Sequence, residues 1–148
     1  MARVNVGVDP KFLADQHLIA EHVEITMITG SLRKQNFKIT NSPPTFRLGT
    51  GHINFFKNKI LYLKNRLEEV KIEMIRRNFK PSCEINLSLF PENLNNDWNP
   101  SLEDTKIIRE RIISKLKMKS EYYRYRSTKI LNIDTFSNNL KNSNLYKV

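Results

Sequence analysis

Cysteine is nearly missing: Cys83 stands alone in 148 residues. No internal disulfide can form and no thiolate metal cluster can be built, which suits a reducing compartment and leaves Cys83 an inert thiol. Metal-ligand spacing is absent as well, and His22 and His52 are isolated and read as structural. No apolar run approaches the length of a membrane span. The start of the chain lacks the basic-then-apolar pattern of a signal peptide, and there is no internal repeat. Acids are in short supply: 15 against 25 lysines and arginines, a formal net charge of +10. Such a surplus points to a polyanionic partner, nucleic acid above all, although solubility alone also accounts for a basic composition. A soluble, intracellular protein with no metal or other cofactor is expected.

What is present is helical periodicity. One chain of this length suggests one domain, with a moderate core and no need of staples. Met1 to Val8 alternates like a strand but has no evident partner, so an extended tail is expected. Asp9 can cap and Pro10 suits a first turn, which starts a helix that runs through Leu18, Ile25, Ile28 and Leu32. Phe37 to Thr50 is a loop, punctuated by Asn41-Ser42-Pro43-Pro44 and Gly49-Thr50-Gly51. Ile53, Phe56, Ile60, Leu63, Leu67, Val70 and Met74 recur three and four apart, the mark of a core helix. After an irregular stretch rich in Asn and Pro, Ser101 and Asp104 fit a capping box. Ile108, Ile112 and Leu116 follow as an apolar row. The expectation is an all-α single domain of three main helices near residues 10–35, 52–79 and 100–119, with the tail running between them. It should occupy 1–131, and 132–148 should be a mobile polar extension.

The first helix carries an unusual polar stripe. Residues seven apart are offset by only about 20°, so His17 and Glu24 share a line, with Glu21 beside them and small Ala20 between. Taken alone, this is an ordinary solvated face. It acquires meaning beside Ala2-Arg3-Val4-Asn5, Ala14-Asp15-Gln16-His17-Leu18 with Ala20-Glu21, and Ser42-Pro43-Pro44-Thr45-Phe46-Arg47-Leu48-Gly49-Thr50-Gly51-His52 with Phe55-Phe56. These motifs resemble the phage pyrimidine-dimer DNA glycosylase/AP lyase family, also called phage endonuclease V. The likeness runs to about Lys129 and thins between about Ser82 and Asn99.

The resemblance implies that Ala2, exposed by removal of Met1, is the nucleophile and that Glu24 is the catalytic carboxylate. The chemistry is sound. An α-amine with a pKa of about 7.7–8.0 is roughly one-third neutral at about pH 7.5, against about one lysine in a thousand. A neutral amine can attack a sugar C1′ and form an iminium. A carboxylate can stabilise the developing charge and accept the C2′ proton. The resemblance also departs in places. Val23 and Met27 stand where it implies arginines that contact DNA near the lesion, and the loop after Arg33 and Lys34 is shortened.

DNA contacts are expected from Arg3, Gln16, His17, Arg33 and Lys34. Arg111 and Lys115, four apart on one face of the third helix, match a phosphate-binding pair that the resemblance implies, and Lys119 extends the stripe. Tyr122-Tyr123-Arg124-Tyr125-Arg126 interleaves aromatics with arginines, a pattern suited to nucleic acid. Tyr123, Arg124 and Tyr125 are candidates there, although tyrosines can equally pin a tail to a core. Gly49-Thr50-Gly51 reads as a phosphate turn or simply a tight turn. The function implied is a DNA repair glycosylase with AP lyase activity, acting as a monomer on duplex DNA with damaged pyrimidines or abasic sites. Its setting is the cytoplasm, of an infected bacterial host in this family. Two alternatives stay open: a catalytically weakened DNA-binding protein of the same fold, and an AP lyase or glycosylase for another modified base.

Overall fold

The computed structural model describes residues 3–143. The described residues form five α-helices: α1 Asp15–Lys34, α2 His52–Phe56, α3 Ile60–Arg76, α4 Leu102–Met118 and α5 Ile133–Asn142. Between α4 and α5 lies a minimal antiparallel pair, β1 (Arg124–Tyr125) and β2 (Thr128–Lys129). The all-α expectation holds. Among the described residues, no helix is long and apolar enough to cross a membrane.

The core row behaves as its spacing predicts. Phe56, Ile60, Leu63, Leu67, Val70 and Met74 are buried and Ile53 is half-buried. The expected continuous second helix, however, breaks at Lys57–Lys59. Lys59 leaves helical geometry (φ −129°, ψ 48°) and its backbone bridges Asn95. Tyr62 N–H then donates to Asn96 O at 3.2 Å, and the Asn96 amide reaches Asn58 O at 2.9 Å. The Asn-rich loop thus serves backbone groups that the elbow frees. Phe46, Phe55, Phe56, Tyr62 and Trp98 lock around this elbow, with ring centroids 5.1 to 6.1 Å apart.

The first helix also starts later than expected. Asp9 does cap Lys11 N–H, and Pro10–Phe12 forms a short 3-10 turn. Leu13 and Ala14 are then extended, and α1 begins at Asp15. The detour leaves Pro10 O and Lys11 O pointing at Arg77, whose Nη2 donates to both at 3.1 and 3.3 Å. At the other end of the chain, α4 carries the predicted capping box between Ser101 and Asp104.

The stretch expected to be a polar extension contains α5. Asn132 caps it by accepting from Thr135 N–H at 3.0 Å. Phe136 packs against Tyr125 and, four residues on, Leu140 is fully buried. The Asn-rich composition hides this short apolar face of Ile133, Phe136 and Leu140.

The tail runs through the centre, as expected. Val4, Val6 and Val8 are fully buried. Gly7 has φ +72°, and a Cβ there would lie 2.0 Å from Thr105 Cγ2 on α4. The tail and α4 therefore pack so closely at this point that no side chain fits. Gly7→Ala is expected to destabilise the fold by about 2–4 kcal/mol, combining left-handed strain with overpacking. Urea unfolding measures this. Adding Thr105→Ala should recover part of the loss, and a Gly7→Ala protein as stable as wild type would contradict this packing.

Candidate active site

Arg66 and Glu21, both fully enclosed, organise the region. Arg66 Nε and Nη2 grip the two Glu21 oxygens at 2.6 and 2.9 Å, and Nη1 donates to Val8 O at 2.6 Å. Asn5 Nδ2 completes the Glu21 shell at 2.8 Å. Glu21, read from sequence as a neighbour in the polar stripe, is therefore committed to structure. The tail is held again at His52. The Nδ1 of that imidazole meets Arg47 O at 2.8 Å, and its Nε2 meets Val4 N–H at 3.1 Å. A carbonyl only accepts, so Nδ1 carries the proton and Nε2 accepts from Val4.

Around this frame lies a cleft of about 610 Å3. Arg3, Arg111, Lys115 and Lys119 supply cations, His17, Gln16 and Asn5 neutral polar groups, and Tyr122 and Tyr123 aromatic surface. No carboxylate lines it among the described residues. Small Ala20 forms part of its floor. Arg3 is anchored through Nε to Leu48 O at 2.6 Å. His17 lies against the Tyr123 ring, centroids 4.8 Å apart. Burial, aided by the Arg111 and Lys115 charges, lowers the His17 pKa from 6.5 to about 4.

Glu24 stands one turn beyond Ala20 on α1 and is only 4% exposed. Its Oε1 has no hydrogen-bond partner among the described residues. Burial raises its pKa, against the opposing charges of Arg3 and Arg111. Two glutamates three residues apart thus differ completely: Glu21 is saturated, whereas Glu24 keeps an oxygen open. A partly desolvated carboxylate beside cations suits proton transfer and cation stabilisation.

The structure separates the remaining candidates. Arg3, Gln16, His17, Arg111, Lys115 and Tyr123 meet at the cleft. Gln16 spends both ends of its amide on the chain, with Nε2 on Tyr122 O at 2.8 Å and Oε1 on Arg124 N–H at 3.0 Å. Arg124 is exposed beside it. Tyr125 points elsewhere: its hydroxyl donates to Lys11 O at 2.7 Å and its ring lies under the Arg77 guanidinium. It is an anchor for the hairpin and not part of the cleft. Arg33 and Lys34 sit apart on the last turn of α1, around Gly30. Ala2 lies outside the described residues. Asn5 is a cleft residue that sequence reasoning passed over, although it stands inside the quoted N-terminal motif. Val23 and Met27 are 47% and 56% exposed on the outer face of α1.

A family model described as pyrimidine dimer DNA glycosylase matches residues 1–87, which is 87 of 148 residues and more than half the chain. The match spans the tail, α1, α2 and α3, and ends before the α4 cations.

Burial lowers the His52 pKa from 6.5 to about 4, although its bond to Arg47 works the other way. The unfolded chain therefore binds more protons between these values, and stability should fall as pH drops through the window from about 6.5 to about 4. The His52 contribution at neutral pH is about 3 kcal/mol. Urea unfolding across this range, with imidazole NMR titration, checks it. A His52 that protonates near pH 6.5 in the folded protein would refute it.

Proposed function

The chain belongs to the pyrimidine dimer DNA glycosylase family, and on that premise we propose that it repairs duplex DNA by amine catalysis, with cyclobutane pyrimidine dimers as the lesion. The family makes it a DNA repair glycosylase with DNA as substrate. The finer reading rests chiefly on one observation: Glu24, buried with an open oxygen, lies one turn along α1 from Ala20 of the cationic cleft and within the field of two of its cations, Arg3 and Arg111. Arg3 is covalently next to Ala2, so in a chain processed at Met1 the α-amine belongs to the residue that precedes Arg3.

The amine of Ala2 in its neutral form attacks C1′ of the damaged nucleotide. The N-glycosidic bond breaks and its electron pair leaves with the base, which takes up the proton shed by the amine; the nitrogen lone pair then expels O4′, which is protonated as the sugar ring opens, and a protonated Schiff base results. Glu24 stabilises the cationic sugar and then takes a proton from C2′. The electrons of that C–H bond form a C=C bond and expel the 3′ phosphate, which cuts the strand. Water releases the enzyme. The reacting sugar must first be exposed by bending the duplex and extruding a nucleotide, at the expense of a few kcal/mol of unstacking. Arg3, Arg111, Lys115 and Lys119 supply the phosphate contacts that offset it. The protein works as a monomer on this reading.

A second reading has its own observation. Val23 and Met27, exposed beside Glu24, offer no charge to a phosphate or a base. A protein that binds damaged or abasic DNA, or excises another base, fits that surface as well as one that reads dimers.

Three outcomes are expected. Borohydride should trap a covalent adduct at Ala2, located by mass spectrometry; an adduct on an internal lysine would sink the mechanism. Glu24→Gln should fold normally yet lose at least about a hundredfold in glycosylase activity, and full activity would remove Glu24 from the chemistry. Arg111→Ala should weaken duplex binding and reduce the log–log salt slope by about 0.9, and an unchanged slope would turn α4 away from DNA. Dimer-containing and abasic duplexes, compared side by side, identify the substrate.

A further inference from the structure

On the far side of Arg3 lies a second cavity, of about 470 Å3. Arg3 is a wall of both this cavity and the cleft. The other boundaries are Ser31 and Gln35 at the end of α1, the turn at residues 49–51, Asn54 on α2, and Lys57 at the α2–α3 elbow.

Lys57 is out of keeping with the rest of the interior. It is 3% exposed, yet among the described residues its ammonium bonds only to a neutral group, the Gln35 Oε1 at 2.8 Å. Arg66 and Arg77 are buried to the same degree, and carboxylates match both. An enclosed cation without a counter-charge is unfavourable unless a ligand brings one. A lysine stem normally lets its head reach water, whereas Gln35 holds this head at the cavity. Burial accordingly lowers the Lys57 pKa below the usual lysine range.

We propose that this cavity is a phosphate subsite, in which Lys57 supplies the counter-charge for a backbone phosphate of the bound duplex and Arg3 closes the wall shared with the cleft. This rests on the reading that the cleft receives duplex DNA. Phosphate oxygens accept charge-assisted hydrogen bonds from the Lys57 ammonium, and the Ser31 hydroxyl is a further donor at the rim. A phosphate gripped here fixes the register of the strand against Glu24, since Arg3 links the two places. Phosphate contacts position a duplex and carry no sequence information, so the subsite serves any lesion that the cleft accepts.

Lys57→Met keeps the stem and removes the charge. The variant should melt at or above the wild-type temperature, because it loses an uncompensated buried cation. Its binding to an undamaged duplex should show a log–log salt slope smaller by about 0.9. In wild-type protein with labelled lysines, the Lys57 ammonium resonance should shift when the same duplex is added. A folded Lys57→Met protein with the wild-type slope overturns the subsite, as does a Lys57 resonance that ignores DNA. Neither measurement needs turnover. Failure of borohydride trapping alone would thus overturn the catalytic reading and leave the subsite standing, whereas wild-type protein that binds no duplex would overturn both.

Discussion

The arrangement of the site depends on one buried ion pair. Glu21 on α1 and Arg66 on α3 meet through two hydrogen bonds, and their remaining capacity is spent on the tail, at Asn5 and Val8. The pair thereby joins three segments that hydrophobic burial alone would leave free to slide. Its net contribution to stability is modest, because each charge loses its water on burial. Its directionality is the larger effect. Valines at 4, 6 and 8 would bury equally well in other registers, whereas a guanidinium fork accepts one placement of Val8 O and one of the Glu21 carboxylate. Removing either partner leaves a charge enclosed without its match, which costs about 3–5 kcal/mol. Arg3 is thus held where its charge acts on Glu24, midway along α1.

A second network does the same for the opposite wall. The Asp15 carboxylate accepts from Arg126 N–H and Ser127 N–H at 2.9 and 2.7 Å and from Arg77 Nη1 at 3.0 Å, while Glu73 holds Arg77 Nε at 2.7 Å. Arg126 and Ser127 both have positive φ, of 51° and 67°. Such a turn normally calls for Asn-Gly or Asp-Gly. Here, two hydrogen bonds to a buried carboxylate hold ordinary residues in that conformation. The hairpin is fastened to the first turn of α1, and Gln16 adds bonds to Tyr122 and Arg124. Tyr123 is thereby held over His17, and Tyr122 is left on the cleft wall.

What could be read from the sequence follows from this division. The α3 row and the Ser101–Asp104 capping box are local, their signals lying within a few residues, and both appear as expected. The hairpin is not local: its conformation is set by Asp15, more than a hundred residues earlier, and no turn dipeptide announces it. The elbow at Lys57–Lys59 depends on Asn95 and Asn96 in the same way. Glu21 and Glu24 are the clearest case. Both sit in one polar stripe, and only the location of Arg66 tells the saturated carboxylate from the open one. The family motifs pointed to Glu24, and the geometry supplies a physical reason to separate it from Glu21. Tyr125 shows the converse, since a pattern suited to nucleic acid is used here to bind Lys11 and Arg77.

The same division bears on which parts of the surface can change. The tail, Glu21 and Glu24 lie within or against the core, where substitution disturbs buried charges and the groups that hold them. Val23 and Met27 occupy the outer face of α1, and neither is among the buried core residues. Exchanging charged for apolar side chains there leaves both buried networks intact, so the fold places little constraint on these two positions. Arg3 and the Glu24 carboxylate would be held in the same way whatever stands at Val23 and Met27. Lesion recognition is in this sense separable from the proposed chemistry. An apolar ridge beside Glu24 would meet sugar or base faces where a charged one would meet phosphates, and phosphate binding would then fall to cations held elsewhere, at Arg3, Arg111, Lys115 and Lys57.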